Sequence, residues 1–146
     1  MGQPYLTDIF VELHVPDFAV VKDFYGKLGF KAVWEEPAHE NKGYLVMKKG
    51  KSLLGFYCGN DQVFNHLYFK KFPKITPRGY AVEITIPIKN IEGYYKKICK
   101  VIDAKYVVGP LKLSHYDKTP KQNFCLIDPF GYYLHFSHPM NLLYKK

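Results

Sequence analysis

The stretch VELHVP at residues 11–16 decides the fold, because a close copy of it, VEITIP, follows at residues 82–87. Three of the six positions are identical and two more are conservative exchanges. Apolar side chains occupy every second position in both copies, which is typical of a β-strand with one buried face. The repeat predicts a chain built from two related halves.

A helical pattern follows each copy of this strand. Residues 17–28 begin with Asp17 as a capping residue, carry an apolar face at helical spacing, and are followed by Gly29. Residues 90–102 repeat the arrangement with Asn90 as the cap. Since the strand repeat and the helix repeat occur in the same order, they indicate an internal duplication.

Three further strands are predicted after each helix. They are residues 30–35, 43–48 and 52–57 in the first half, and 105–108, 122–127 and 132–138 in the second. The predicted fold class is therefore α+β, with two βαβββ modules. We expect one domain over residues 1–146. Its parts are module 1 at about 8–58, a connecting loop at 59–79, module 2 at about 80–138 and a tail at 139–146.

The composition excludes several classes of protein. Hydrophobic residues make up 47% of the 146 residues and charged residues 23%, which is not the composition of a disordered chain. No apolar run approaches the roughly 20 residues that span a bilayer. The N-terminal residues also lack the basic and apolar regions of a secretory signal. We therefore expect a cytoplasmic protein with no membrane partner.

Charge and cysteine content narrow the partners further. The net charge is +8, but Arg78 is the only arginine, and the lysines are scattered along the chain. Because bidentate recognition of bases and phosphates favours arginine, we expect no nucleic-acid partner. The three cysteines Cys58, Cys99 and Cys125 are odd in number and far apart, which argues against a disulfide framework and a zinc knuckle.

Two short motifs stand near the ends of the chain. The opening motif is VPD at residues 15–17, followed by FY at 24–25 and LGF at 28–30. The closing motif is DPFGY at residues 128–132. With these motifs the whole chain resembles the vicinal oxygen chelate superfamily, which includes glyoxalase I, extradiol dioxygenases, fosfomycin-resistance enzymes and bleomycin-resistance proteins. The resemblance implies the glyoxalase/bleomycin-resistance fold, in which the sheets of two βαβββ modules curl around a cleft, and it implies a homodimer.

The resemblance also assigns four metal-ligand positions, one on each of four strands. In this chain they fall on Phe10, on Leu53 or Gly55, on Ala81 and on His135. Histidine is the only one of these residue types that can ligate a divalent ion through its side chain, and such an ion usually needs at least three protein ligands. We therefore expect no metal and no other cofactor, as in the metal-free bleomycin-resistance-like members.

An improvised metal site stays open as an alternative. Strand alternation places Glu12 and His14 on the same face as Phe10, and the matching face of the second half carries Glu83 and His135. Two histidines and two carboxylates are suitable ligands for Zn, Fe or Mn. The alternative function is therefore a metal-dependent lyase or dioxygenase with a rearranged site, in which Glu12 or Glu83 is the candidate catalytic base.

The favoured hypothesis is a small-molecule-binding protein that sequesters its ligand without chemistry and has no assigned catalytic residue. Aromatic residues make up 17% of the chain, which suits a pocket for a flat organic ligand. The predicted ligand-binding residues are Glu12, His14, Trp34, Tyr44, Tyr57, Glu83, Tyr133 and His135, with Phe64 or Tyr68 from the connecting loop as a lid. A third hypothesis is an interaction module whose dimer buries that loop and the tail.

Overall fold

The computed structural model describes residues 9–39, 42–59, 63–116 and 119–138. Contacts divide the chain into two compact units, with the boundary between Lys74 and Ile75. Each unit contains one βαβββ module with a four-stranded mixed sheet. This confirms the predicted α+β class and the predicted pair of modules.

Module 1 places its first strand beside its last. Its elements are β1 (Val11–Val15), α1 (Phe18–Lys27), β2 (Lys31–His39), β3 (Lys42–Lys49) and β4 (Ser52–Cys58). The strand order is β1-β4-β3-β2, with β1 parallel to β4 and the other pairs antiparallel. The chain therefore passes through α1 from one edge of the sheet to the other.

Module 2 repeats this topology. Its elements are β5 (Glu83–Pro87), α2 (Ile91–Val101), β6 (Val107–Tyr116), β7 (Thr119–Ile127) and β8 (Tyr133–Ser137). The strand order is β5-β8-β7-β6, and again the first and last strands are parallel. Short 3-10 helices lie at Phe69–Lys71, between the modules in sequence, and at Ala104–Tyr106, before β6.

The predicted limits of β2 and β6 were wrong for the same reason. Both strands were expected to end early, at residues 35 and 108, but they extend to His39 and Tyr116. Pro37 and Pro110, which usually interrupt a strand, lie just beyond the predicted ends. Both strands are at a sheet edge and contain register shifts, and edge strands with bulges tolerate proline.

The core of module 1 lies between α1 and one face of its sheet. Asp17 caps the helix as predicted, since its Oδ1 accepts from the backbone N–H of Ala19 at 2.7 Å. Tyr25 is buried against Phe56, with ring centroids 5.2 Å apart. Leu13 and other alternate strand residues complete this core. The residues between them lie on the opposite face of the sheet.

Module 2 buries its helix in the same way. The Asn90 side chain accepts from the backbone N–H of Gly93 at 3.1 Å, which confirms the second predicted cap. Phe124 and Phe136 stack in the core at 4.7 Å, and Tyr94 of α2 lies 5.6 Å from Phe136. Burial raises the pKa of Tyr94 above its ordinary value.

The closing motif forms the turn between β7 and β8. Buried Asp128 accepts through Oδ1 from the backbone N–H groups of Phe130 at 2.9 Å and Tyr132 at 2.8 Å. Gly131 has a φ of +99°, a conformation that favours glycine. The Asp128 carboxylate and Gly131 therefore stabilise the turn between β7 and β8.

We predict that Asp128→Ala lowers the free energy of unfolding by about 1–3 kcal/mol, because two backbone N–H groups lose their acceptor. Asp128→Asn keeps one side-chain oxygen and should lose less. Urea denaturation measures both changes. The control is Asp23→Ala, which removes an exposed ion pair with Lys27 and should cost under about 1 kcal/mol. Equal losses of unfolding free energy in Asp128→Ala and Asp23→Ala would show that Asp128 does not stabilise the turn.

Candidate functional site

The face of module 1 opposite α1 gathers most of the predicted binding residues. Strand pairing places Tyr57 of β4 between His14 of β1 and Tyr44 of β3. Glu36 of β2 extends this row beyond Tyr44. The next row contains Glu12, Gly55 and, through Val46, Trp34. Residues far apart in sequence therefore become neighbours through register alone.

Glu12 is the polar centre of this face. Its Oε1 accepts from the hydroxyl of Tyr44 at 2.6 Å and from that of Tyr57 at 3.4 Å. The Tyr44 bond has the short length expected of a hydrogen bond to a carboxylate. Two side chains from two strands therefore hold one carboxylate oxygen in place.

Gly55 makes this arrangement possible. It pairs with Glu12 in the sheet and lies directly beneath Tyr44 and Phe10. A Cβ atom at position 55 would lie 2.5 Å from the Tyr44 hydroxyl oxygen and 2.8 Å from Cζ of Phe10. Since real contacts of a Cβ are longer than this, position 55 requires glycine for as long as these two rings stay where they are.

The two phenols are held in their protonated form. Burial, followed by the hydrogen bond and the negative charge of Glu12, raises the pKa of Tyr44 well above its ordinary value of 10. Burial and the same carboxylate also raise the pKa of Tyr57. Each phenol has one proton and points it at Glu12, so the hydroxyl oxygens can offer only lone pairs to another molecule. At neutral pH the three groups act towards a ligand as acceptors.

Aromatic side chains surround these acceptors. His14 stacks on Tyr57 at 5.1 Å with an interplanar angle of 21°, and Trp34 lies 5.9 Å from Tyr44. An open pocket of about 450 Å³ is lined by Trp34, Glu36, Lys42, Gly43, Tyr44 and Tyr57. Its volume falls in the usual range of small-molecule sites. The Trp34 side chain is 54% exposed, so its ring is accessible from solvent.

Part of the predicted connecting loop lies against this face. Phe69 meets His14 edge to face at 5.8 Å, and His66 lies 6.3 Å from His14. His66 also stacks on Phe69 at 4.2 Å, and its Nδ1 accepts from the backbone N–H groups of Tyr68 and Phe69. The rings of Phe64 and Tyr68, the predicted lid residues, lie beneath the ammonium groups of Lys74 and Lys71, and their role as a lid stays a prediction.

In module 2 the predicted residues form a smaller polar group. Nδ1 of His135 lies 3.2 Å from Oε1 of Glu83 and 3.4 Å from Oγ1 of Thr85. Strand pairing places Tyr133 opposite Glu83 and Cys125 opposite His135. The His135 side chain is 12% exposed, so the Glu83 carboxylate orients a nearly buried imidazole.

The predicted binding residues thus form two groups, each within one module. The first consists of Glu12, His14, Trp34, Tyr44 and Tyr57, and the second of Glu83, Tyr133 and His135. That both groups line one cleft stays a prediction. Sequence reasoning missed Glu36 and Lys42 at the pocket and His66 and Phe69 beside His14, because strand register and loop packing bring them there.

The positions that the resemblance assigns to a metal do not fit a divalent ion. Phe10 and Ala81 occupy two of these positions with an aromatic ring and a methyl group. Leu53 and Gly55, the two candidates for the position on β4, carry no ligating side chain. His135 alone has a ligating side chain, and it is paired with Glu83. Within the described ranges, no group of three or more His, Cys, Asp or Glu residues is placed to hold a metal ion.

Comparison with solved structures identifies the architecture. A bleomycin-binding protein in complex with bleomycin matches 92% of this chain and 100% of its own, with a TM-score of 0.62 and 16% identity. The chain has the glyoxalase/bleomycin-resistance fold. A glyoxalase family protein from Enterococcus faecalis shares this fold at 20% identity, covers 92% of this chain and 100% of its own, and has a TM-score of 0.62.

A third structure with the glyoxalase/bleomycin-resistance fold is TioX from Micromonospora sp. ML1. It matches at 13% identity and a TM-score of 0.64, over 92% of this chain and 99% of its own. No protein-family model matches the sequence, and a search of the curated proteins gives no match either. Among the helices that the structure describes, none is long and apolar enough to cross a membrane. At these identities the likeness establishes the fold and leaves function to the site.

We predict that the stability of this glyoxalase/bleomycin-resistance fold decreases above about pH 10. In the folded protein, the pKa values of Tyr44 and Tyr57 lie above the ordinary value of 10. The neutral phenols therefore stabilise the fold fully below pH 10, and this contribution is lost as pH rises beyond it. Urea denaturation between about pH 8 and 11 measures the decrease. Tyr44→Phe should make it shallower, whereas Tyr80→Phe, at an exposed position, should not. The same slope in Tyr44→Phe and the native protein would contradict the burial of this phenol.

We also predict opposite effects for two glycine substitutions in module 1. Gly55→Ala should lower the free energy of unfolding by about 1–3 kcal/mol, because the added methyl group displaces the Tyr44 and Phe10 rings. Gly26→Ala, in α1 with open space around it, should raise it by about 0.5–1 kcal/mol. Thermal and urea denaturation measure both. If Gly55→Ala left the free energy of unfolding unchanged, the Tyr44 ring would not pack against β4 at Gly55.

Proposed function

We propose that this protein binds a planar aromatic small molecule that carries N–H donors or a positive charge, and that it does so without a catalytic metal. The ligand lies in the pocket of module 1, against Trp34 and Tyr44. The observation that carries the proposal is the pair of hydroxyl groups that both donate to Glu12. With their protons committed, the polar centre of the face presents acceptors only, and acceptors select a donor.

The walls of the pocket favour the same ligand class. Trp34, Tyr44 and Tyr57 provide ring faces for stacking, and such faces also attract cations. Glu36 adds a carboxylate to the lining, and Lys42 adds a positive group at a second point. A flat ligand with a cationic or amide-rich end and an acceptor elsewhere matches this distribution.

A binding role is compatible with this fold. One protein with the same fold, a bleomycin-binding protein, was crystallised in complex with bleomycin. Three of the four metal positions of this chain carry residues that cannot ligate an ion, which supports binding without a metal. We also propose that the protein forms the homodimer implied by the resemblance and that it is located in the cytoplasm, as expected from the sequence. Sedimentation at working concentration tests the homodimer.

Trp34 is the only tryptophan of the chain and lines the pocket, so its fluorescence reports ligand binding. We predict saturable quenching by an aromatic ammonium compound and much weaker quenching by an aromatic sulfonate of the same size. Glu12→Gln should weaken binding of the ammonium compound by about tenfold or more, since it removes the charged acceptor.

The matched control is Glu92→Gln, which removes an equal charge from an exposed position of α2 in module 2. It should leave the affinity unchanged. Preference for the sulfonate would contradict the proposed ligand class, and equal losses in the two variants would exclude Glu12 from the site.

One observation favours the alternative of a metal-dependent lyase or dioxygenase. A histidine that a carboxylate orients through Nδ1, as Glu83 orients His135, is a common arrangement for a ligand or a base. Reloading the protein with Zn, Mn, Fe or Ni and measuring the bound metal by mass spectrometry separates the two functions. Our proposal expects less than about a tenth of an equivalent. Near one equivalent, lost in His135→Ala, would favour the enzyme.

A further inference from the structure

The segment of residues 63–74, which connects the two modules in sequence, exposes apolar and cationic side chains together. Leu67 is 88% exposed, Tyr68 52% and Phe72 46%. Lys70, Lys71 and Lys74 lie in the same short segment. From residue 62 to residue 82 the sequence contains no aspartate or glutamate, so no acidic neighbour in sequence offsets these charges.

The positive groups are interleaved with the rings. The ammonium of Lys71 lies 3.7 Å from the ring centroid of Tyr68 and 5.9 Å from that of Phe72. Lys74 places its ammonium 5.0 Å from the ring centroid of Phe64. The segment is therefore one mixed surface, on which any partner meets apolar groups and positive charges at once.

Contacts within the segment and with His14 of module 1 hold this surface in shape. His66 accepts from the backbone N–H groups of Tyr68 and Phe69 at 3.1 and 3.2 Å, which fixes the turn that presents Leu67. The Phe69 ring packs against His14 and His66. Since the turn is ordered by these contacts, its exposed side chains need little further ordering on binding.

The charge of the segment argues against a second copy of the chain as its partner. A twofold contact brings the same patch of both copies together, so three lysines of one copy would face the same three of the other. Like charges brought together in this way oppose association. The partner must instead be anionic.

The aromatic contacts argue against a single-stranded nucleic acid. Such a ligand stacks its bases on open ring faces. One face of Tyr68 is covered by Lys71, and one face of Phe69 is covered by His66. Leu67, the most exposed apolar residue in the segment, is aliphatic and offers no ring on which a base could stack. The interface of a bilayer with anionic phospholipids offers both properties, since its headgroups attract cations and its acyl boundary accepts aliphatic and aromatic side chains.

We propose that residues 63–74 dock this protein on membranes that contain anionic phospholipids. Leu67, Tyr68 and Phe72 enter the boundary between headgroups and acyl chains, where aromatic rings are favoured. Lys70, Lys71 and Lys74 contact the headgroups. Such docking requires no membrane-crossing helix, and it departs from the sequence-based expectation of no membrane partner.

Sedimentation with vesicles tests the proposal. The protein should bind vesicles of phosphatidylcholine and phosphatidylglycerol, fail to bind phosphatidylcholine alone, and dissociate as salt is raised. Each lysine near an anionic surface strengthens partitioning about fivefold. Replacing Lys70, Lys71 and Lys74 by glutamine should therefore weaken it on the order of 100-fold.

The matched control replaces Lys89, Lys97 and Lys100 of module 2 by glutamine, which lowers the net charge of +8 by the same amount at exposed positions. This variant should keep most of the binding. Equal losses in the two triple variants would overturn the proposal, because net charge alone would then explain the attraction.

A second pair of variants tests the apolar contact. Leu67→Ser should weaken vesicle binding about tenfold, whereas Leu113→Ser, at another exposed leucine, should not. Both side chains are exposed, so both variants should fold. The proposal is overturned if the protein does not bind vesicles, or if Leu67→Ser binds them as tightly as the native protein. Tight binding of oligo(dT) that needs the three lysines but not Leu67 would also overturn it, in favour of a nucleic acid.

Discussion

In a β-strand, successive side chains point to opposite faces of the sheet. In each module of this protein the helix packs on one of those two faces. Leu13 of β1 and Phe56 of β4 lie under α1, and Phe124 and Phe136 lie under α2. Polar and ring-bearing residues at the intervening positions are thereby placed on the other face. The candidate site depends on this arrangement. The helix packs on one face of the sheet and stabilises the module, and the binding residues lie on the other face.

The chemistry of that face depends on how its protons are distributed. Glu12 accepts from Tyr44 and Tyr57, and the carboxylate and burial together keep both phenols neutral. Three groups that separately offer donors and acceptors become one acceptor surface. In module 2 the corresponding positions carry Glu83 and Thr85 around His135. The duplicated topology thus carries two different polar arrangements, which is how one fold supports unrelated functions.

The sequence was a good guide where the signal is local. Asp17 and Asn90 cap the two helices as predicted, and strand alternation placed Glu12 and His14 on a common face. It could not place Glu36 beside Tyr44, because that contact depends on the register of β2 against β3 and on its bulge. Nor could it bring His66 to His14, because the intervening segment has no periodic pattern. Proline led to wrong predicted ends for the edge strands β2 and β6, because a proline ends a strand only where its missing N–H would be needed by a neighbouring strand.

The bare backbone at Gly55 also limits how the protein can change over generations. A ligating side chain there and the ring of Tyr44 exclude each other, since they would occupy the same space. If position 55 is the assigned one of the two candidates on β4, a metal ligand there would require Tyr44 and Phe10 to be replaced first. The intermediates would lack both the tyrosine bond to Glu12 and the new ligand. Substitutions at the exposed position of Trp34 meet no such steric limit, since changes at the surface usually alter stability little.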